Sequence, residues 1–257
     1  FLGLGINMVG KEAEIVQKLF SVLTDIMCAI TGAIMKMAPI AVFAFMLNTM
    51  VNYGVDMLKQ YVSIILTIYA VAIIHTVLVY FPTVAVFCKY SIKEFLSAVT
   101  PSFLVAFTTM SSAAALPLTL ENCQEIGISN KTRSFVAPLG CTIHMDGTAI
   151  YETVCAVFIA NIYGMALPLG AQISIIAIAT ISSIGCAGVP GAGLIMLGTV
   201  LSSAGLPIDG IAIVMGLTTI LSPIVTATNV LGDIAAALLV DKTEGTFGMA
   251  DDVETHI

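Results

Sequence analysis

The stretch "GCTIHMDGTAIYETVCAVFIA", residues 140–160, decides how the rest of the chain is read. Its apolar residues suit a helix inside a membrane, yet His144, Asp146 and Glu152 fall within it. A carboxylate at mid-bilayer costs about 2.5–3.5 kcal/mol on insertion scales, and each Leu, Ile, Phe or Val returns about 0.3–0.6 kcal/mol. A run of roughly 20 apolar residues can therefore carry one or two acids. Insertion alone does not make them functional.

The surroundings agree with a membrane. The 257 residues are 58% hydrophobic and 10% charged, with a mean hydropathy of +1.05. A soluble domain of this length needs far more charge to cover its surface. Apolar runs long enough to span a bilayer recur near 22–50, 60–88, 134–164 and 207–240. Two more, about 95–120 and 170–205, are interrupted by Ser, Gly and Pro. The expected fold class is an all-α polytopic membrane protein.

Composition also excludes. Nine Lys and Arg without a basic cluster speak against nucleic acid. The cysteines at 28, 88, 123, 141, 155 and 186 have neither disulfide nor zinc spacing, and read as small apolar packers. "GVPGAG" lacks the Gly-Lys-Ser/Thr of a phosphate loop. No nucleophile–base pair has a recognisable setting, so an enzyme is not expected. The chain opens on Phe1 without a signal peptide, and we expect an N-terminal portion to precede it.

Charge placement orients the chain, because positive residues favour the cytoplasmic side. With the run at 22–50 leaving the cytoplasm, Lys11, Lys18, Lys89, Lys93, Lys131, Arg133 and Lys242 fall inside, Lys59 outside and Lys36 within a helix. That balance requires both interrupted runs to enter and leave on the same side. The first carries "TTMSSAAALPLTL" (108–120) and the second "ISSIGCAGVPGAGLIM" (181–196). Small residues and proline allow a break there, and the freed backbone groups need partners in protein, water or ligand. A kinked helix with small-residue packing is the alternative. Two such hairpins, each followed by a long helix with a polar motif, suggest an inverted repeat.

Asp146, Glu152 and Asp233 have no Lys or Arg within their own segments. A buried carboxylate finds a positive partner or takes up a proton, and intramembrane acids mark ion pathways by default. Na⁺ or H⁺ from solution would supply what the chain omits. In "TTILSPIVTATNVLGDIAAALLV" (218–240), Thr218, Ser222, Thr226, Asn229 and Asp233 recur at helical spacing and form one polar stripe. Asn229 and Asp233 offer the oxygens that hard cations prefer. His144, Thr148 and Glu152 would stack likewise if the helix stays regular there. His75, alone in "AVAIIHTVLVY" (70–80), reads as structural.

"MDGTAIY" (145–151), "SIGCAGVPGAG" (183–193) and "TNVLGD" (228–233), in this order and spacing, resemble the dicarboxylate/amino acid:cation symporter family, which includes the glutamate transporters. The likeness runs from about residue 8 to 245. It implies spanning helices, two re-entrant hairpins, a homotrimer and an elevator mechanism. Residues 1–55 would be partial scaffold and trimerisation region. Residues 58–245 would be the moving transport domain: sixth helix, hairpin 95–125, seventh helix 132–164, hairpin 170–205 and eighth helix 207–242. Residues 246–257, with Asp251, Asp252 and Glu254, would be a polar cytoplasmic tail of a multi-pass cell-membrane protein.

Carried over by position, the resemblance puts Gly140, His144, Asn229 and Asp233 on one sodium site. Thr142, Ser183, Ile184 and Cys186 fall on another, partly through carbonyls, and Asp146 on a third, whose remaining ligands would belong to a third helix preceding these residues. Substrate contacts fall on Ser111, Ser112, Thr148, Val189, Gly193, Ser222, Val225, Thr226 and Asn229, and Glu152 is the expected proton carrier. No cofactor is implied beyond Na⁺ or H⁺ as coupling ions. The departures bear on substrate. The family's usual Asn before "MDGT" is His144. The arginine that clamps a side-chain carboxylate is Val225, its alternative position in the first hairpin is Met110, and the aspartate that holds an amino group is Ser222. Valine cannot replace a bidentate guanidinium. The expected function is therefore symport of a neutral amino acid or small carboxylate with Na⁺, H⁺ or both. The alternatives are an acidic amino acid or dicarboxylate symporter with a relocated carboxylate-binding group, an anion-conducting channel, and a homologue that no longer transports.

Overall fold

In the computed structural model, residues 2–54 and 56–248 are described, and all regular elements among them are helical. Asp251, Asp252 and Glu254 lie outside the described residues, as does the side chain of Cys28. The chain divides into two compact units, Phe1–Ala44 and Phe45–Ile257.

In the first unit, α1 (Leu2–Val9) leads through a 3-10 turn at Gly10–Ala13 into α2 (Glu14–Met35). Ile15, Leu19, Leu23, Ile26 and Ile30 on α2 are exposed, an apolar surface that water would not tolerate at this density. The expected single run at 22–50 is broken: Lys36 and Met37 form a turn before α3 (Ala38–Tyr53), so Lys36 stands in a link and not within a helix.

The second unit begins its long run at α4 (Met57–His75), which continues through two π-helical segments, Thr76–Tyr80 and Thr83–Phe87. Met57–Phe87 and Thr218–Glu244 are long and apolar enough to cross a bilayer. Then follow α5 (Ile92–Thr109), α6 (Ser112–Ile126), α7 (Asn130–Ile143), α8 (Asp146–Ile162), α9 (Leu169–Ile184), α10 (Ala192–Ser203), the short α11 (Ile211–Met215) and α12 (Thr218–Glu244). Serine caps set the starts: Ser91 accepts from Glu94 N, Ser111 from Ala114 N and Ser129 from Thr132 N. Left-handed Gly127 and Gly245 end α6 and α12.

α12 is the axis of this unit, packed against α4, α5, α6, α7 and α8. Its first part, with Leu221 and Val225, joins one apolar core with Ile64 and Ile68 of α4, Ile159 of α8 and Leu197 of α10. Its last part, with Val230, Ile234 and Leu238, joins a second core with Phe95 of α5, Cys123 of α6 and Ala137 of α7. Between the two cores the same helix buries Thr226, Asn229 and Asp233. Cys88, Cys123, Cys141, Cys155 and Cys186 are free and buried, as small packing residues should be.

Two of the expected long helices are interrupted. The run at 132–164 breaks at His144 (φ −90°, ψ 79°) and Met145 (φ −118°, ψ 47°), so His144 is not one helical turn from Thr148 on a continuous face. The run at 207–242 breaks at Gly216 and Leu217, between α11 and α12. Gly147 explains where α8 can start: a Cβ there would land on the Val225 carbonyl of α12.

Candidate functional site

α5 and α6 pack side by side, as do α9 and α10, and the reversals between the partners meet. Met110 turns the first with a left-handed backbone, φ 55°, unusual for a residue with a Cβ. Ser111 Oγ donates to Gly188 O at 2.7 Å and Ala113 N to the same oxygen at 3.0 Å. Carbonyl groups freed by a broken helix must be paired; here one reversal pairs the other.

Beneath this junction lies a cavity of about 40 Å³, room for one or two waters. Ser112, Thr148, Val189 and Gly193 line it, together with Ser222, Val225, Thr226 and Asn229 from α12. The structure thus gathers all the expected substrate residues except Ser111, which is engaged with Gly188. Met110, Met145, Tyr151 and Cys186 line it as well. Tyr151 and Met145 flank the Asp-Gly-Thr of the motif, and proximity in sequence was the available clue. Among the described lining residues none is charged.

Asn229 serves as an internal brace. Its Oδ1 accepts from Gly147 N at 2.8 Å, and its Nδ2 donates to Thr148 Oγ1 at 3.1 Å and reaches Met145 Sδ at 3.1 Å. α8 is thereby pinned to α12 at the level of the cavity.

The carboxylates form a second cluster. Asp146 opens α8, where the helix dipole favours an anion. Its Oδ2 accepts from His75 Nε2 at 2.9 Å and from Tyr80 Oη at 3.1 Å. His75 is therefore a member of this cluster and not a remote packing residue. The π-helical winding makes this possible. Five residues apart, His75 and Tyr80 would point well away from each other on an α-helix, whereas i→i+5 winding puts them side by side, their rings 4.9 Å apart and edge-on. No local composition announces that winding.

The His144 ring stands between two acids: Nε2 is 3.6 Å from Asp146 Oδ2, and Nδ1 is 3.7 Å from Asp233 Oδ1. A Cβ on Gly232 would land on this ring, and one on Gly140 would come within 2.6 Å of Asp233 Oδ1. Glycine at both positions makes the cluster possible. Asp233 Oδ1 and His144 Nδ1 have no hydrogen-bond partner. A groove of about 450 Å³ between α4, α8 and α9 runs up to His75 and Asp146.

Glu152 sits apart from both groups. It is fully buried on α8, both oxygens lack a hydrogen-bond partner, and its neighbour on α9 is Ser182. The remaining expected cation residues are less gathered. Thr142 is exposed and donates to Leu139 O at 2.9 Å; Ser183 is buried and donates to Thr180 O at 2.9 Å; Ile184 is exposed. The segment that follows them approaches α7, since a Cβ on Gly188 would come within 2.9 Å of Cys141 O.

The sequence matches the sodium:dicarboxylate symporter family over residues 1–243. The chain belongs to that family. It is 32% identical over 245 residues to a proton/sodium-glutamate symport protein of Geobacillus stearothermophilus, covering 95% of this chain and 58% of that protein. It is 31% identical over 246 residues to the proton/glutamate-aspartate symporter of Escherichia coli, covering 95% and 56%. To a C4-dicarboxylate transport protein of Cupriavidus necator it is 34% identical over 245 residues, again covering 95% and 56%. This symporter-family chain thus spans a little under three-fifths of the length of these curated relatives.

Proposed function

We propose that the chain is the solute- and cation-binding part of a secondary active transporter that symports a small organic solute with Na⁺, H⁺ or both. The observation that carries this is the pairing of an uncharged cavity with buried carboxylates that have no Lys or Arg partner on their own helices. Such acids are costly unless a cation or proton meets them.

In this reading α5–α6 and α9–α10 are re-entrant hairpins whose tips gate the cavity, and the two hairpin-plus-broken-helix halves form an inverted repeat. Residues 58–245 move as an elevator past a scaffold that includes residues 1–55, in a homotrimer in the cell membrane with a cytoplasmic C-terminus. Glu152, buried and without a hydrogen bond, is the proton carrier. Thr142 with the carbonyls of Ser183, Ile184 and Cys186 is the place left for sodium.

The solute is neutral or a small carboxylate. Val225 and Met110 stand at the cavity where a guanidinium would be needed, and a second carboxylate left there without a partner would be costly. The reading in favour of an acidic amino acid or dicarboxylate rests on the activities of the relatives, and requires a cation from elsewhere. Uptake of labelled neutral amino acids, monocarboxylates and dicarboxylates into sealed vesicles, under a sodium or a proton gradient, decides between them. Neutral-solute uptake driven by either gradient is expected. No uptake of any solute under either gradient would sink the transport reading.

A further inference from the structure

Sodium prefers a shell of oxygen ligands, and around α7, α8 and α12 several of the oxygens expected to form one are already engaged. Asn229 Oδ1 already accepts from Gly147 N, and Gly140 O already accepts from His144 N at 2.8 Å. Asp146 Oδ2 is held by His75 and Tyr80. The position between Asp146 and Asp233 is filled by the His144 ring, which faces one acid with each nitrogen at 3.6 and 3.7 Å. The ring cannot be pictured as loosely placed: it lies on the bare Cα of Gly232, and Tyr80 is tilted against it at 6.0 Å. Access is not the obstacle, since the groove between α4, α8 and α9 leads to Asp146, whose side chain is 32% exposed.

We propose that His144 takes the place of a bound cation between Asp146 and Asp233, and that neither carboxylate ligates sodium in this protein. His75 and Tyr80 are the positioning residues: by holding Asp146 Oδ2 they keep the carboxylate turned to the histidines. Any sodium that drives transport then binds elsewhere, away from both acids. The setting rests on the transport reading, but the occupancy of the site does not require transport.

The test is sodium binding to the purified full-length protein in lipid nanodiscs, followed with radioactive sodium and by sodium-dependent thermal stabilisation. A carboxylate that ligates a cation contributes about tenfold or more to its affinity. We therefore expect Asp146→Asn and Asp233→Asn to leave the half-saturating sodium concentration within about twofold of the parent. A loss of about tenfold in either would overturn the proposal. His144→Asn puts an amide oxygen where the ring stands, and is expected to gain sodium affinity by about tenfold. A folded His144→Asn protein with no gain would also overturn it; should that variant not fold, the two carboxylate variants decide. His75→Gln is expected to fall between, with a partial gain that Tyr80→Phe shares; sodium affinity unmoved in both would remove their positioning role. Uptake assayed in parallel separates the two readings. Silence in every gradient with this sodium pattern counts against transport only, while transport with sodium bound through Asp146 or Asp233 counts against the filled site only.

Discussion

Asp233 and Asp241 stand on the same face of α12 about two turns apart, at 2% and 0% exposure. Asp241 is fully provided for. It accepts from Ser129 N at 3.1 Å, from Ser129 Oγ at 2.6 Å and from the Thr246 hydroxyl. The chain beyond it folds back to complete the arrangement. Gly248 N donates to Gly127 O at 3.2 Å, Phe247 meets Tyr90 edge-on, and Lys242 lies over the Phe247 ring. Asp233 has none of this: its Oδ1 has no hydrogen bond, and it faces the His144 ring with Nδ1 at 3.7 Å. Glu152 is more deprived still. A buried acid whose acceptor sites are filled by its own chain ties segments together; Asp233 faces a ring in place of a set of donors, and Glu152 keeps its capacity for a proton that comes and goes.

That contrast is open to breakage. The largest effect is expected from Asp241→Ala, which leaves the buried Ser129 N–H without an acceptor and the Ser129 and Thr246 hydroxyls with longer hydrogen bonds only. Thermal melting in detergent should fall, by about 1–3 kcal/mol in stability. Asp233→Asn should melt no lower than the parent, because it removes a buried charge that had no full partner. Equal losses in both would erase the distinction between a structural and a functional acid.

Glu152→Gln comes next. The fold should survive, since neither oxygen was hydrogen-bonded, while the stimulation of uptake by an imposed proton gradient should drop about tenfold or more, a general acid–base group having been removed. Undiminished stimulation would move the proton carrier elsewhere. Val225→Arg sharpens the comparison from the cavity side. A guanidinium there should let aspartate or succinate compete about tenfold better against the parent's solute, about 1.4 kcal/mol. Inhibition curves that do not shift would mean that the cavity reads carboxylates by another group. The smallest effect is expected for Tyr80→Phe, which deletes one hydrogen bond to Asp146, worth about 1 kcal/mol in chemical denaturation.

Much of this was legible in the chain. Helical spacing alone placed Thr226, Asn229 and Asp233 on one face, because an apolar helix can bury polar groups only together, against a partner. Ser112, Thr148, Val189, Gly193 and four residues of α12 line one cavity, while Ser111 stands outside its lining. Hidden was the break at His144–Met145, which contains neither Gly nor Pro; just beyond it Gly147 seats α8 against the Val225 carbonyl. Hidden too was His75. Its neighbours are uniformly apolar, and only a π-helical turn one residue later brings it and Tyr80 to Asp146.

The sequence by itself determined the solvent of this protein, the helical elements, the polar face of α12 and the presence of acids without Lys or Arg beside them, for these follow from hydropathy, periodicity and composition. Only the tertiary structure decided what each acid meets. Asp241 received a closed set of donors from the far ends of α7 and α12, Asp146 received two histidines and a tyrosine, and Glu152 received only Ser182 as a polar neighbour from another helix. His75 and Asp146 lie 71 positions apart in the chain and Ser129 and Asp241 112, and whether such pairs converge depends on where helices break and how closely glycine lets them approach.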